Sequence, residues 1–152
     1  MKDATFLVTA ADDESAVLQD VTDSQVHTLS TNPGVEVGEI VAASIEPEPP
    51  MEVAWQVVEI TDQRTIPVER SPEPPTKQAR EIAADQPVGE ITRQERAGEG
   101  ELHVITVPDG EADDAAADVL DDEETLARAA RLGVDRVEVR ADGQALSVRY
   151  LP

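Results

Sequence analysis

The chain has 152 residues, with 33 Asp and Glu against 12 Lys and Arg, a formal net charge of −21 and no cysteine. Disulfides, thiol chemistry and cysteine-ligated zinc are therefore excluded, and no run approaches the roughly 18 apolar residues of a membrane-spanning helix. Leu, Ile, Val and Phe make up about 24% of the residues, above the roughly 20% below which a highly charged chain is expected to stay disordered, so a lean, Val-rich core is expected.

Residues 1–75 read as all-β. Short strand-like runs at Thr5–Thr9, Ser15–Val21 and Gln25–Leu29 are separated by Asp-rich turns. Ser30-Thr-Asn-Pro-Gly34 is a turn signal. A longer strand is expected at Gly38–Ile45, broken by Glu46-Pro-Glu-Pro-Pro50. Glu52–Ile60 alternates, with Val53, Trp55 and Val57 on one side, which makes Trp55 a core residue in preference to a ligand platform. Thr65–Glu69 is expected to complete the set, at an edge because of Pro67. Six short strands point to a small antiparallel β-barrel, and the run GVEVGEIVAASIE resembles the strand that follows a loop in oligonucleotide-binding and related barrels.

Residues 76–152 alternate helix and hairpin. Thr76 is placed to cap a helix over Lys77–Gln86, stopped by Pro87. Val88–Glu95 and Glu101–Val107 are expected to pair around Ala97-Gly-Glu-Gly100. Glu111–Leu132 is helical in two pieces, the second opened by Asp121 and Glu124 at capping-box spacing, with Glu124 and Arg128 as an i,i+4 pair and Gly133 as terminator. Val134–Arg140 and Gln144–Leu151 form a hairpin around Ala141-Asp-Gly-Gln144, the strongest local signal in the chain. The order α-β-β-α-β-β implies an antiparallel sheet with helices on one face. The fold class is thus α+β: a barrel-like domain at 1–70, a stiff Pro-rich linker at 71–75, and an α+β domain at 76–152.

The acidity is distributed over both halves, and only two basic residues, Lys2 and Lys77, are lysines. A spread of carboxylates suits concentrated salt, where the Debye length falls to about 3 Å, better than docking on a basic partner, which would gather the acids in one tail. Residues 4–10 are too short an apolar run for a secretory signal. These features describe a soluble cytoplasmic protein of a salt-loving microbe. The segments FLVTAADDESAVLQDV, QVHTLSTNPG, PPMEVAW, RTIPVERSPEPPTKQAREIAADQPVGEITRQERAGEGELHVITVP and DDEETLARAARLGVDRVEVRADGQALSVRYLP together resemble an uncharacterised haloarchaeal family, a domain of unknown function. The resemblance implies salt adaptation and a cytoplasmic location, and it carries no activity, ligand or site residue.

Motifs for chemistry are sparse. Neither a P-loop nor a G-x-G-x-x-G between strand and helix is present. Gly98 and Gly100 form a G-x-G inside a hairpin turn, where glycine supplies positive φ. His27 and His103 each fall on an expected strand, outside any H-E-x-x-H, H-x-H or nucleophile-elbow pattern, and are read as structural. Asp114, Asp118 and Asp122 fall at i, i+4 and i+8 on one helix stripe. With oxygens from a second element that stripe could hold Mg²⁺ or Ca²⁺, although in so acidic a chain it reads first as a solvated helix face. Arginine is more informative. Arg136, Glu138 and Arg140 share one face of their strand, and Ala145, Ser147 and Arg149 share one face of the next, opposite Leu146, Val148 and Tyr150. An open sheet face carrying Arg136, Arg140 and Arg149 is therefore the candidate partner-binding surface, with pairing of the arginines to Glu138 as the competing reading.

The function expected from the sequence is a non-enzymatic binding or adaptor module, with a protein partner of unspecified kind and no cofactor. One alternative is nucleic-acid binding through the barrel and the three arginines, against which stand the missing aromatic platform on that face and the loss of counterion release in molar salt. A second is a hydrolase with a dispersed site, metal-assisted at Asp114, Asp118 and Asp122. The charge distribution makes a direct prediction: removing salt restores carboxylate repulsion and loosens the fold. Circular dichroism across a KCl series is expected to show ordered structure lost at low salt, and a flat signal would contradict it.

Overall fold

The computed structural model describes residues 1–96 and 100–152, which fall into two compact units, Met1–Ile66 with Leu126–Arg131 and Pro67–Thr125 with Leu132–Pro152. The first unit holds β1 (Lys2–Ala11), β2 (Ala16–Asp20), β3 (Val26–Leu29), β4 (Ile40–Pro47) and β5 (Trp55–Arg64). They form a closed ring in the order β1-β2-β3-β5-β4. All neighbours are antiparallel except β3 and β5, which meet in parallel through the single bridge Leu29–Trp55 and make the sheet mixed. Phe6, Val8, Leu18, Leu29, Val41 and Ile45 fill its interior. The turns are set by side chains that mimic backbone. Asp12 Oδ1 accepts the N–H groups of Glu14 and Ser15 at 2.8 and 2.7 Å, and Asn32 Oδ1 those of Gly34 and Val35, both at 2.8 Å.

Two expectations for this half are corrected. The strand expected from Glu52 starts at Trp55, because the chain is still turning at Glu52, whose φ is +58° and whose N–H reaches back to the Glu48 carbonyl. Val53 is accordingly 76% exposed, while Trp55 and Val57 are half-buried against the core. The strand expected at Thr65–Glu69 is β6 (Val68–Arg70), and it does not complete the first sheet: it runs parallel to a strand of the second. Val68 packs in the core of that second sheet, and the Pro67 carbonyl accepts the Val137 N–H at 2.9 Å. Ser71, at the start of the expected linker, donates to the Val139 carbonyl at 2.8 Å.

The second unit continues with α1 (Lys77–Ala84), β7 (Ile91–Glu95), β8 (Glu101–Thr106), α2 (Ala112–Leu120), β9 (Arg136–Asp142) and β10 (Ala145–Leu151). Between α2 and β9 lies α3 (Glu123–Leu132), of which Leu126–Arg131 group with the first unit. The sheet order is β6-β9-β10-β8-β7, mixed because β6 and β9 are parallel. As expected, Thr76 caps α1, its hydroxyl accepting the Ala79 N–H at 3.2 Å. The cap of α3 is one residue later than expected. Asp121 closes α2, and Asp122 accepts from the Glu124 N–H at 3.2 Å and the Thr125 hydroxyl at 2.9 Å.

The helices α1 and α2 do not share one face of the sheet. Leu146 lies opposite Ile105 and Ala141, and all three pack with Val139, Val68 and Ala116 of α2. Ala145 lies one residue away, so it faces the other side, where Ala79, Ile82 and Ala83 of α1 pack on Leu102, Val104 and Ala145. The cause is in β8. Its Leu102 and Val104 project to one side and Ile105 to the other, so both sides of the sheet centre are apolar and both need cover.

The turn expected at Ala97-Gly-Glu-Gly100 has residues 97–99, including Gly98, outside the described residues. At Gly100, φ is +95° and an added Cβ would fall on the Tyr150 carbonyl oxygen. Gly110 shares a positive φ of +85° but faces open space. Gly100→Ala is thus expected to lose about 1–3 kcal/mol in urea unfolding at constant salt, with Gly110→Ala costing less. Equal losses would show that the close approach to Tyr150 does not matter.

Candidate functional site

The alternation of β9 and β10 places Arg136, Glu138 and Arg140 on the same side as Ser147 and Arg149, with Arg149 directly opposite Glu138. The three arginines named from the sequence are brought together, and Glu138 is their centre. Its Oε1 accepts from Arg140 Nε at 2.7 Å and Arg149 Nη1 at 2.9 Å, and Oε2 lies 4.0 Å from Arg136 Nη1. Arg140 Nη2 also reaches Glu73 at 3.1 Å. The Arg140, Arg149 and Glu138 side chains are 14%, 23% and 17% exposed, whereas Arg136 is 57% exposed. Burial raises the Glu138 pKa, but the hydrogen bonds and charge of Arg140 and Arg149 outweigh it and hold the carboxyl below the ordinary glutamate range. Tyr150 is buried on the opposite side, so it offers no platform here.

This face is not open throughout, because α1 covers part of it. Where α1 begins, a concavity of about 350 Å³ lies between the helix start and the sheet. Thr76 and Gln78 of the helix line it, with Gln94, Ser147 and Arg149 of the strands. Gln78 Nε2 donates to Gln94 Oε1 at 3.3 Å. Ser147 is 1% exposed, and its hydroxyl is the one buried side-chain polar atom without a partner among the described residues.

The first unit has a hollow of different character, about 480 Å³, walled by Asp12, Asp13, Asn32 and Glu36. Its carboxylates make it anionic. Lys2, one of the two lysines, lies in a separate cluster on the ring. Its ammonium is 3.0 Å from Asp20, 3.2 Å from Asp23 and 3.1 Å from His27 Nε2. Burial raises the Asp20 pKa, but the backbone N–H of Thr22, Lys2 and the N–H of Asp23 together lower it. His27 is buried edge-on to Trp55 and Phe6, at ring centroid distances of 4.6 and 5.9 Å. Burial, then the Lys2 charge, lower its pKa and favour the neutral ring.

His103 is buried on the α2 side of the second sheet, with Nε2 2.8 Å from Glu101 Oε1 and its ring 4.9 Å from that of Tyr150. The carboxylate stripe is not assembled as the spacing suggested. Asp114 and Asp118 lie on α2, but Asp122 is beyond its end and is occupied in capping α3. No group of three or more potential metal ligands occurs among the described residues. No described helix is long and apolar enough to cross a membrane. Sequence reasoning placed Ser147 on the right face but gave it no role. Thr76, Gln78 and Gln94 were also missed as neighbours of Arg149, because their proximity arises from where α1 docks.

A family model described as a family of unknown function (DUF5812) matches residues 2–141, and the chain belongs to that family. No curated protein and no solved structure matches the chain.

The depressed pKa of Glu138 fixes the sign of a pH test. Its ionised form is favoured by folding, so its contribution is full above the ordinary glutamate range and lost as pH falls through the folded value. Glu138→Gln is expected to cost about 1–3 kcal/mol at neutral pH, as for hydrogen bonds to a charged group. The difference from wild type in urea unfolding should shrink on acidification. A pH-independent difference would contradict the charge-based account.

Proposed function

We propose that this DUF5812 protein is a non-enzymatic binding module, salt-adapted and cytoplasmic, that holds an anionic group on the α1 side of its second sheet. The observation that carries the reading is the Glu138-centred arrangement of Arg140 and Arg149 beside a concavity. Two guanidinium groups tied to one carboxylate are held in fixed orientations, so little rotamer entropy is left to lose on binding. Their remaining donors are of the kind that recognises carboxylates and phosphates. Salt adaptation rests on the excess of acids over bases, 33 to 12. In such a solvent, recognition by oriented donors persists where recognition by net charge is screened.

The first unit is read as a small barrel of the oligonucleotide-binding kind. The support is the ring order β1-β2-β3-β5-β4 with its one parallel pair. Fold likeness does not bring the ligand with it. The hollow walled by Asp12, Asp13 and Glu36 would repel a nucleic-acid backbone, which favours the second sheet as the anion-receptive surface.

The reading is tested by thermal denaturation in molar KCl with a panel of small anionic compounds and acidic peptides. A ligand at a hundred times its Kd adds about 2.7 kcal/mol of stability. At least one anion class is expected to raise Tm in the wild type and to lose most of that effect in Arg149→Gln. No stabilisation by any member, or equal stabilisation of the variant, would contradict the proposal.

A further inference from the structure

The concavity on the arginine-bearing face brings together three kinds of donor. The first is the start of α1. Thr76 takes the Ala79 N–H, while the N–H groups of Lys77 and Gln78, as first-turn donors, have no acceptor within the helix. Such a helix start favours an anion. The second is the Ser147 hydroxyl, which is buried and without a partner. A buried hydroxyl left unpaired carries its full desolvation cost, and Ser147 stands on the wall of this concavity. The third is Arg149. Glu138 holds it through Nη1 at 2.9 Å, which restrains the guanidinium and leaves Nη2 to donate.

We propose that this concavity binds the phosphate group of a small phosphomonoester, with Arg149 Nη2, the Ser147 hydroxyl and the first-turn N–H groups of α1 as its donors. This deepens, and rests on, the reading of this face as the binding surface. A volume of about 350 Å³ exceeds what a bare phosphate fills and lies in the range of small-ligand sites. Gln94, Glu95, Arg96 and Leu102 also line it. Gln94 lies opposite Leu102 and so projects to the α1 side, where the free amide groups of Gln94 and Gln78 can hydrogen-bond the hydroxyls of an esterified body. The ester is therefore bound in preference to inorganic phosphate.

The test is an amide NMR titration of the full chain in molar KCl, with ribose 5-phosphate and inorganic phosphate as separate probes. Ribose 5-phosphate is expected to shift the Lys77, Gln78 and Ser147 amides at concentrations at least tenfold below those needed with inorganic phosphate. Arg149→Gln should weaken binding at least tenfold. Ser147→Ala should weaken it at least fivefold while leaving Tm unchanged or raised, since an unpaired hydroxyl is removed. Absence of shifts at these amides with either probe overturns the proposal, as does undiminished affinity in Ser147→Ala. Equal affinity for the two probes overturns the assignment to an ester. Shifts produced by a single-stranded RNA but not by the monoester overturn it in favour of a polymer. If both phosphate probes fail while another anion still raises Tm in an Arg149-dependent way, the phosphate assignment falls and the binding-face reading stands.

Discussion

The register of β10 is the constraint on which the second unit depends. It is paired on both sides, with Val148 opposite His103 of β8 and Val139 of β9. Once that is set, alternation sends Leu146 to the α2 core and Ala145 to the α1 core. The same alternation puts Arg149 opposite Glu138 and Ser147 opposite Arg140. A slip of one residue would exchange the two sets, burying Arg149 on the side where Leu146, Val148 and Tyr150 now lie. The polar cluster is therefore a consequence of the core, and the core leaves it only one position.

Against an overall charge of −21, the shielded carboxylates are managed individually. Asp20 has Lys2 at 3.0 Å and the N–H of Thr22 at 2.7 Å, and Glu138 has Arg140 and Arg149. In each case burial opposes ionisation and the partners reverse the balance. Exposed pairs such as Lys77 with Glu81, at 3.8 Å, contribute little in any buffer and less in salt. The scarce cations that decide structure are the ones taken out of the solvent, which is why a dispersed acid excess and a hydrogen-bonded arginine cluster coexist in one chain.

Much of this was legible from residue order. The faces of β9 and β10 follow from strict alternation, and the position of Thr76 announced the start of α1. What escaped detection has physical reasons. Val68–Arg70 is too short for periodicity to say which sheet it joins, and its partner β9 lies far along the chain. The assignment of both helices to one side failed because Leu102, His103, Val104 and Ile105 read as one run, whose alternate residues face opposite sides of the sheet, Leu102 and Val104 toward α1 and Ile105 toward α2. Asp121 and Asp122 are adjacent candidates for the same cap, separated by one hydrogen-bond pattern. The orphaned Ser147 hydroxyl is invisible in sequence, since it arises from packing by an element about seventy residues away.

The central claim is that Glu138 and Arg149 form an oriented, shielded pair that survives in concentrated salt. A double-mutant cycle with Glu138→Gln and Arg149→Gln, measured by urea unfolding in molar KCl, tests it most directly. A retained coupling of about 1 kcal/mol or more, within the range for residues in one hydrogen-bonded network, is the predicted result. Coupling that disappears in molar KCl would identify the pair as an ordinary surface contact and would contradict the account.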